Sequence, residues 1–115
     1  ILITGGTGMV GRNITENDLA KRHHLLTPKR KELDLTNKSN VRKWLQINKP
    51  ELIIHAAGLV GGIHANIANQ SGFLLNNMFM GCNLISEAAS LGIKNIINIG
   101  SSCMYPKNAD NPLKE

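Results

Sequence analysis

The segment Thr4-Gly5-Gly6-Thr7-Gly8-Met9-Val10-Gly11 stands between a short apolar run, Ile1-Leu2-Ile3, and a stretch with helical periodicity. Glycine adopts backbone conformations closed to other residues and lets a second group approach closely. The start of a helix offers unpaired N–H groups and the positive end of a dipole. Together they make a cradle for a phosphate anion. The segment contains both Gly6-x-Gly8-x-x-Gly11 and Gly5-x-x-Gly8-x-x-Gly11. A glycine trio alone can be a tight turn. After a strand and at the opening of a helix it points to the pyrophosphate of a dinucleotide. No Gly-Lys-Ser/Thr follows, which excludes a nucleoside-triphosphatase loop.

The remaining pattern alternates strands and helices. Arg12 to about Arg22 predicts a helix, with Val10, Ile14 and Leu19 on its apolar side. His24-Leu25-Leu26-Thr27 predicts a second strand, stopped by Pro28. Asn37 or Ser39 caps a helix running to about Asn48, with Val41, Trp44, Leu45 and Ile47 inward. Leu52-Ile53-Ile54 predicts a third strand. Residues 56–69, rich in Gly, Ala and Asn, read as a functional loop. A long helix follows over about Phe73 to Ser90, with Leu74, Met78, Leu84, Ile85 and Ala88 inward and Gly92 as its stop. Ile96 to Ile99 predicts the fourth strand, and the chain turns irregular after Tyr105-Pro106. Continuous apolar strands joined by helices imply an α/β fold, a doubly wound parallel sheet of order 3-2-1-4, incomplete at the C-terminus.

The 115 residues suit one domain. With 42% apolar and 18% charged residues the chain is not disordered. No apolar run approaches the ~20 residues of a membrane span. No secretory signal is visible at the start, and the two cysteines form neither a disulfide framework nor a zinc spacing, so a cytoplasmic setting is expected. Net charge is +5, with the basic residues concentrated in the first half. Aromatic residues are only 3% and no nucleic-acid-binding motif is present, so no nucleic-acid partner is expected. A phosphate-bearing cofactor uses the same charge. Ile1 begins inside a strand and Glu115 follows a tail without a closing element, so the chain is expected to be part of a larger protein.

An NAD site places Asp or Glu at the end of the second strand. Here that strand ends Leu26-Thr27-Pro28-Lys29-Arg30. Two cations replace the acid, which favours the 2′-phosphate of NADP(H), with Arg30 as the first choice. The alternative for Arg30 is a solvated loop cation. Asp34 either accepts from the adenine amino group, with Leu35 against the ring, or helps cap the next helix. His55 is expected as a packed, hydrogen-bonded histidine beside Ala56, Ala57 and Gly58, whose small size lets the cofactor come close. Cys82 and Trp44 are expected in the core, and His64 and Asn66 beside the substrate pocket.

Thr4-Gly5-x-x-Gly8-x-x-Gly11, His55-Ala56-Ala57-Gly58 after the third strand and Ser101-Ser102 after the fourth resemble the extended short-chain dehydrogenase/reductase family. Further segments narrow the resemblance to its GDP-sugar branch: Lys31-Glu32-Leu33-Asp34-Leu35, Val60-Gly61-Gly62-Ile63 with Ala65-Asn66, and Ser101-Ser102-Cys103-Met104-Tyr105-Pro106-Lys107. The resemblance covers the whole chain. It implies a Rossmann fold, NADP(H), and a GDP-sugar substrate epimerised at C3 and C5 and then reduced at its C4 ketone, in a homodimer. Residue by residue it implies cofactor contacts from Gly5 to Gly11, from Arg30 to Leu35, at Ala56, Ala57 and Gly58, and from Ile99 through Gly100 and Ser101 to Ser102. It makes Ser101 the donor to the ketone and Cys103 the group moving protons at carbon.

The family also uses a Tyr-x-x-x-Lys pair. The only tyrosine is Tyr105, and Ala109 stands four residues on. That pair and the substrate domain are therefore absent from residues 1–115. Two other readings stay open: a different nucleotide-sugar reductase or epimerase of the family, or a catalytically silent NADP-binding module.

Overall fold

Leu2 and Ile3 are both fully buried. Neighbouring residues of a strand point to opposite faces, so the strand that carries them is covered on both sides. The computed structural model describes residues 1–101, 104–106, 108–109 and 112. Strand β1 (Leu2–Thr4) pairs in parallel with β2 (Leu52–His55), placing Leu2 opposite Ile53 and Thr4 opposite His55. β2 pairs in parallel with β3 (Asn95–Asn98), placing Ile53 opposite Ile96. On its other side β1 has a single bridge, Leu2 to Leu26. There the Ile3 N–H donates to the Leu26 carbonyl at 2.9 Å and the Leu26 N–H to the Ile1 carbonyl at 2.8 Å.

These pairings correct the expected order 3-2-1-4. Counting the bridge, the four predicted runs lie in the order 2-1-3-4 among the described residues. Pro28 cuts the second run short, and one bridge offers too little edge for another strand to pair. The third run instead forms its ladder directly on β1.

Helix α1 (Met9–Glu16) starts earlier and ends sooner than its periodicity predicts. Asn17 accepts the Leu19 N–H on its side chain at 2.9 Å, an alternative to continuing the helix, and a separate 3₁₀ turn follows at Ala20–Arg22. Helix α2 (Lys38–Asn48) is capped by Asn37, whose side chain accepts the Asn40 N–H at 3.0 Å. The expected loop of residues 56–69 contains helix α3 (Ile63–Ala68). Helix α4 (Gln70–Ser90) is capped by Asn69 and stops before Gly92, whose φ of +75° is the left-handed region expected of a terminating glycine.

One core holds Leu2, Leu33, Leu35, Val41, Leu45, Ile53, Leu84 and Ala88, with Trp44 partly buried against it. It lies where α2 and α4 pack together on one face of the sheet. The opposite face runs Ile3, Ile54, Ile97 across the three strands. Its burial declines in that order, from complete at Ile3 to 50% exposed at Ile97, because α1 packs on β1. Several expected core positions are exposed: Leu19, Ile47, Leu74, Met78, Cys82 and Ile85. Apolar residues spread around α4 do not say which stripe faces the sheet, and only Leu84, Glu87 and Ala88 are buried there.

Candidate functional site

Thr4 ends β1 and is buried, and its hydroxyl makes two contacts that fix the sheet edge. Thr4 Oγ1 lies 2.7 Å from Nδ1 of buried His55 and accepts the Ala57 N–H at 3.2 Å. Burial holds His55 below its ordinary pKa, so the neutral ring persists at neutral pH. His55 is thus the packed histidine its position predicts.

The chain then turns at Gly5, with φ +70°. A Cβ on Gly5 would stand 2.7 Å from the Ala56 carbonyl oxygen. A Cβ on Gly11 would collide with the Gly5 carbonyl oxygen, so the third glycine lets the helix start pack on the turn. The Gly8 N–H closes the turn on the Gly5 carbonyl at 2.8 Å, and α1 begins at Met9. This is a glycine-rich cradle at a helix N-terminus.

Around it opens a cavity of about 500 Å³, within the usual range for small-molecule sites. Its walls bring together residues expected at the cofactor: Gly5, Gly6, Thr7 and Gly8 from the turn, Arg30, Leu33, Asp34 and Leu35 from the second loop, and Ala56, Ala57 and Gly58 after β2. Lys29 joins Arg30 at this wall. Both cations are exposed.

Of the two roles weighed for Asp34, the helix cap falls to another residue. Asn37, not Asp34, caps α2. The Asp34 carboxylate accepts the Thr36 hydroxyl at 2.7 Å and the Thr36 N–H at 3.0 Å through Oδ1. These bonds, with the charge of Arg30, hold its pKa below the ordinary carboxylate value. An ionised acceptor therefore stands in the cavity wall.

Other expected positions lie elsewhere. Glu32 turns back to accept the Lys29 N–H at 2.7 Å, and neither it nor Lys31 lines the cavity. Met9 and Val10 line a separate shallow groove along α1 with Asn13 and Leu19. Gly11, Ile99, Gly100 and Ser101 are outside the cavity wall. Ser102 and Cys103 lie outside the described residues. Pro28, Thr36, Leu59, Asn76 and Met80 complete the wall without having been anticipated. For Asn76 and Met80 no sequence signal exists, since α4 reaches the site only through tertiary packing.

The chain matches the NAD dependent epimerase/dehydratase family over residues 1–115. It belongs to that family. It is 51% identical over 115 residues to the GDP-L-colitose synthase of Yersinia pseudotuberculosis and 42% identical over 115 residues to the GDP-L-fucose synthase of Azorhizobium caulinodans. Both alignments cover 100% of this chain and 37% of the relative, so the chain spans little more than a third of their length. Among solved structures, a GDP-mannoheptose C4 reductase from Campylobacter jejuni with NADP bound superposes with a TM-score of 0.88 at 36% identity, covering 98% of this chain and 36% of that one.

Proposed function

We propose that this chain is the NADP(H)-binding part of a GDP-L-fucose synthase, acting in the cytoplasm as a homodimer. The intact protein then converts GDP-4-keto-6-deoxy-D-mannose to GDP-L-fucose by epimerisation at C3 and C5 and reduction at C4. The observation that carries this reading is the cavity itself, lined by the glycine-rich cradle together with Lys29, Arg30 and ionised Asp34. That donor set fits the cofactor. The cradle and the α1 N-terminus suit the diphosphate, Arg30 the 2′-phosphate, and Asp34 the adenine amino group. NADPH supplies the hydride for the ketone. Ser101, beyond the end of β3, donates a hydrogen bond to the ketone oxygen as negative charge develops there. Cys103 removes and returns protons at C3 and C5. The exposed apolar residues Leu74, Met78 and Phe79 on α4 support a subunit interface.

The higher identity to a GDP-L-colitose synthase favours that activity as a second reading. The test is incubation of the intact protein with GDP-4-keto-6-deoxy-D-mannose and NADPH in deuterated water. GDP-L-fucose carrying deuterium at C3 and C5 is expected, and Cys103→Ser should suppress the exchange by on the order of 10²–10⁴-fold. Unchanged substrate with the parent protein rejects the first reading. Normal exchange in Cys103→Ser places the base elsewhere.

A further inference from the structure

Helix α4 contributes more to the cavity than two lining side chains. The Leu59 N–H donates to Asn77 Oδ1 at 2.7 Å, and Asn77 Nδ2 donates to the Leu59 carbonyl at 2.9 Å. A primary amide thus takes both backbone groups of one loop residue, as a strand partner would. Leu59 and its neighbour Gly58 form the wall after β2. Asn83, on the same helix, donates from Nδ2 to the Leu35 carbonyl at 2.9 Å. Leu35, with Asp34 and Thr36, lines the same cavity from a second segment.

We infer that Asn77 and Asn83 are positioning residues that hold two wall segments of the cofactor cavity in register along α4. The two amides are six residues apart, about 9 Å along a helix axis. A helix is stiff over that length, so it transfers a fixed spacing to two segments lacking a regular ladder of their own. Residues 56–62 lie in no helix or strand, and neither do residues 31–37. Without the amides each wall keeps its sequence and its packing but samples more conformations. A ligand contacting both walls must then order them on binding, which weakens affinity.

This inference rests on the assignment of the cavity to NADP(H), and the experiment separates the two. In the intact protein, steady-state kinetics with NADPH and with NADH are compared for Asn77→Ala, Asn83→Ala and Arg30→Ala. Asn77 is exposed on α4 and alanine is the better helix former, so Asn77→Ala leaves the helix intact. Each asparagine variant should raise KM for NADPH about ten-fold and KM for NADH by a similar factor, at an unchanged kcat, the signature of lost uniform binding. A purely structural defect would instead lower the active fraction and so the apparent kcat. Parent-like KM in Asn77→Ala or in Asn83→Ala, or a fall in kcat at unchanged KM, overturns the inference. Arg30→Ala should lose NADPH affinity selectively. If it binds NADPH as the parent does, the cavity assignment fails, and the inference falls with it.

Discussion

A 2′-phosphate carries close to two negative charges at neutral pH, and on the proposed reading Arg30, exposed on its loop, offers it a planar fork of donors. The discriminating power of this position lies in what is missing as much as in what is present. An acid after Thr27 would accept a ribose hydroxyl and repel the phosphate, and the chain has Pro28-Lys29-Arg30 instead. Arg30→Ala should therefore weaken NADPH binding about ten-fold and leave NADH nearly untouched, as titration calorimetry of the intact protein would record. Equal losses for both cofactors would assign Arg30 to the fold of the loop. At this scale the sequence was most legible where chemistry forces a residue type. Gly5 and Gly11 are such cases, because a Cβ at either would meet backbone. It was least legible where a side chain turns away from its motif. Glu32 sits inside the resembling segment, yet its carboxylate serves the Lys29 N–H.

Between elements, the α2–α4 contact is fastened by one buried carboxylate. Glu87 is buried near the C-terminal end of α4, where the helix dipole disfavours an anion. Arg42 Nη1 lies 2.9 Å from Glu87 Oε2, and Lys38 Nζ lies 3.6 Å from Oε1. The hydrogen bond and the charge of Arg42, with the charge of Lys38, hold the Glu87 pKa below its ordinary value of 4.5. A carboxyl depressed by folding is protonated more readily in the unfolded chain. Its contribution is present above pH 4.5 and fades as pH falls from there through the lowered folded value. Glu87→Gln should lower Tm at neutral pH and flatten the loss of stability on acidification, as melting curves across that range would show. An unchanged acid slope would mean that other carboxylates govern it. The same helix shows why elements were legible and their faces were not. Its length and its Gly92 stop follow from local pattern, whereas Leu74, Met78 and Cys82 are exposed because packing on α2 selects a different stripe. The strand order failed for a related reason. Local runs locate strands, but only the partners available to Leu2 and Ile3 decide which edges meet.

For the whole molecule, every residue lining the cavity falls between Thr4 and Met80, so the proposed cofactor site can form within this chain. The apolar balance points the other way. Phe79, Leu75 and Met78 on α4 are each about half exposed, as is Ile97 on β3, and they fall on surfaces that isolated domains rarely leave open. Helices on both faces of a parallel sheet are the usual cover, and the described residues place only α1 on the Ile3 side. Residues 1–115 produced alone should therefore bind NADPH weakly, bind a hydrophobic dye, and leave the keto-sugar unreduced, since the chain offers no Tyr-x-x-x-Lys pair. The intact protein should bind the dye far less and oxidise NADPH on addition of substrate. Calorimetry, dye fluorescence and NADPH absorbance on the two proteins side by side make the comparison. If the short chain consumed NADPH at a rate near that of the intact protein, the reacting groups would all lie within residues 1–115, and Tyr105 and His64 would become candidate proton donors to the ketone.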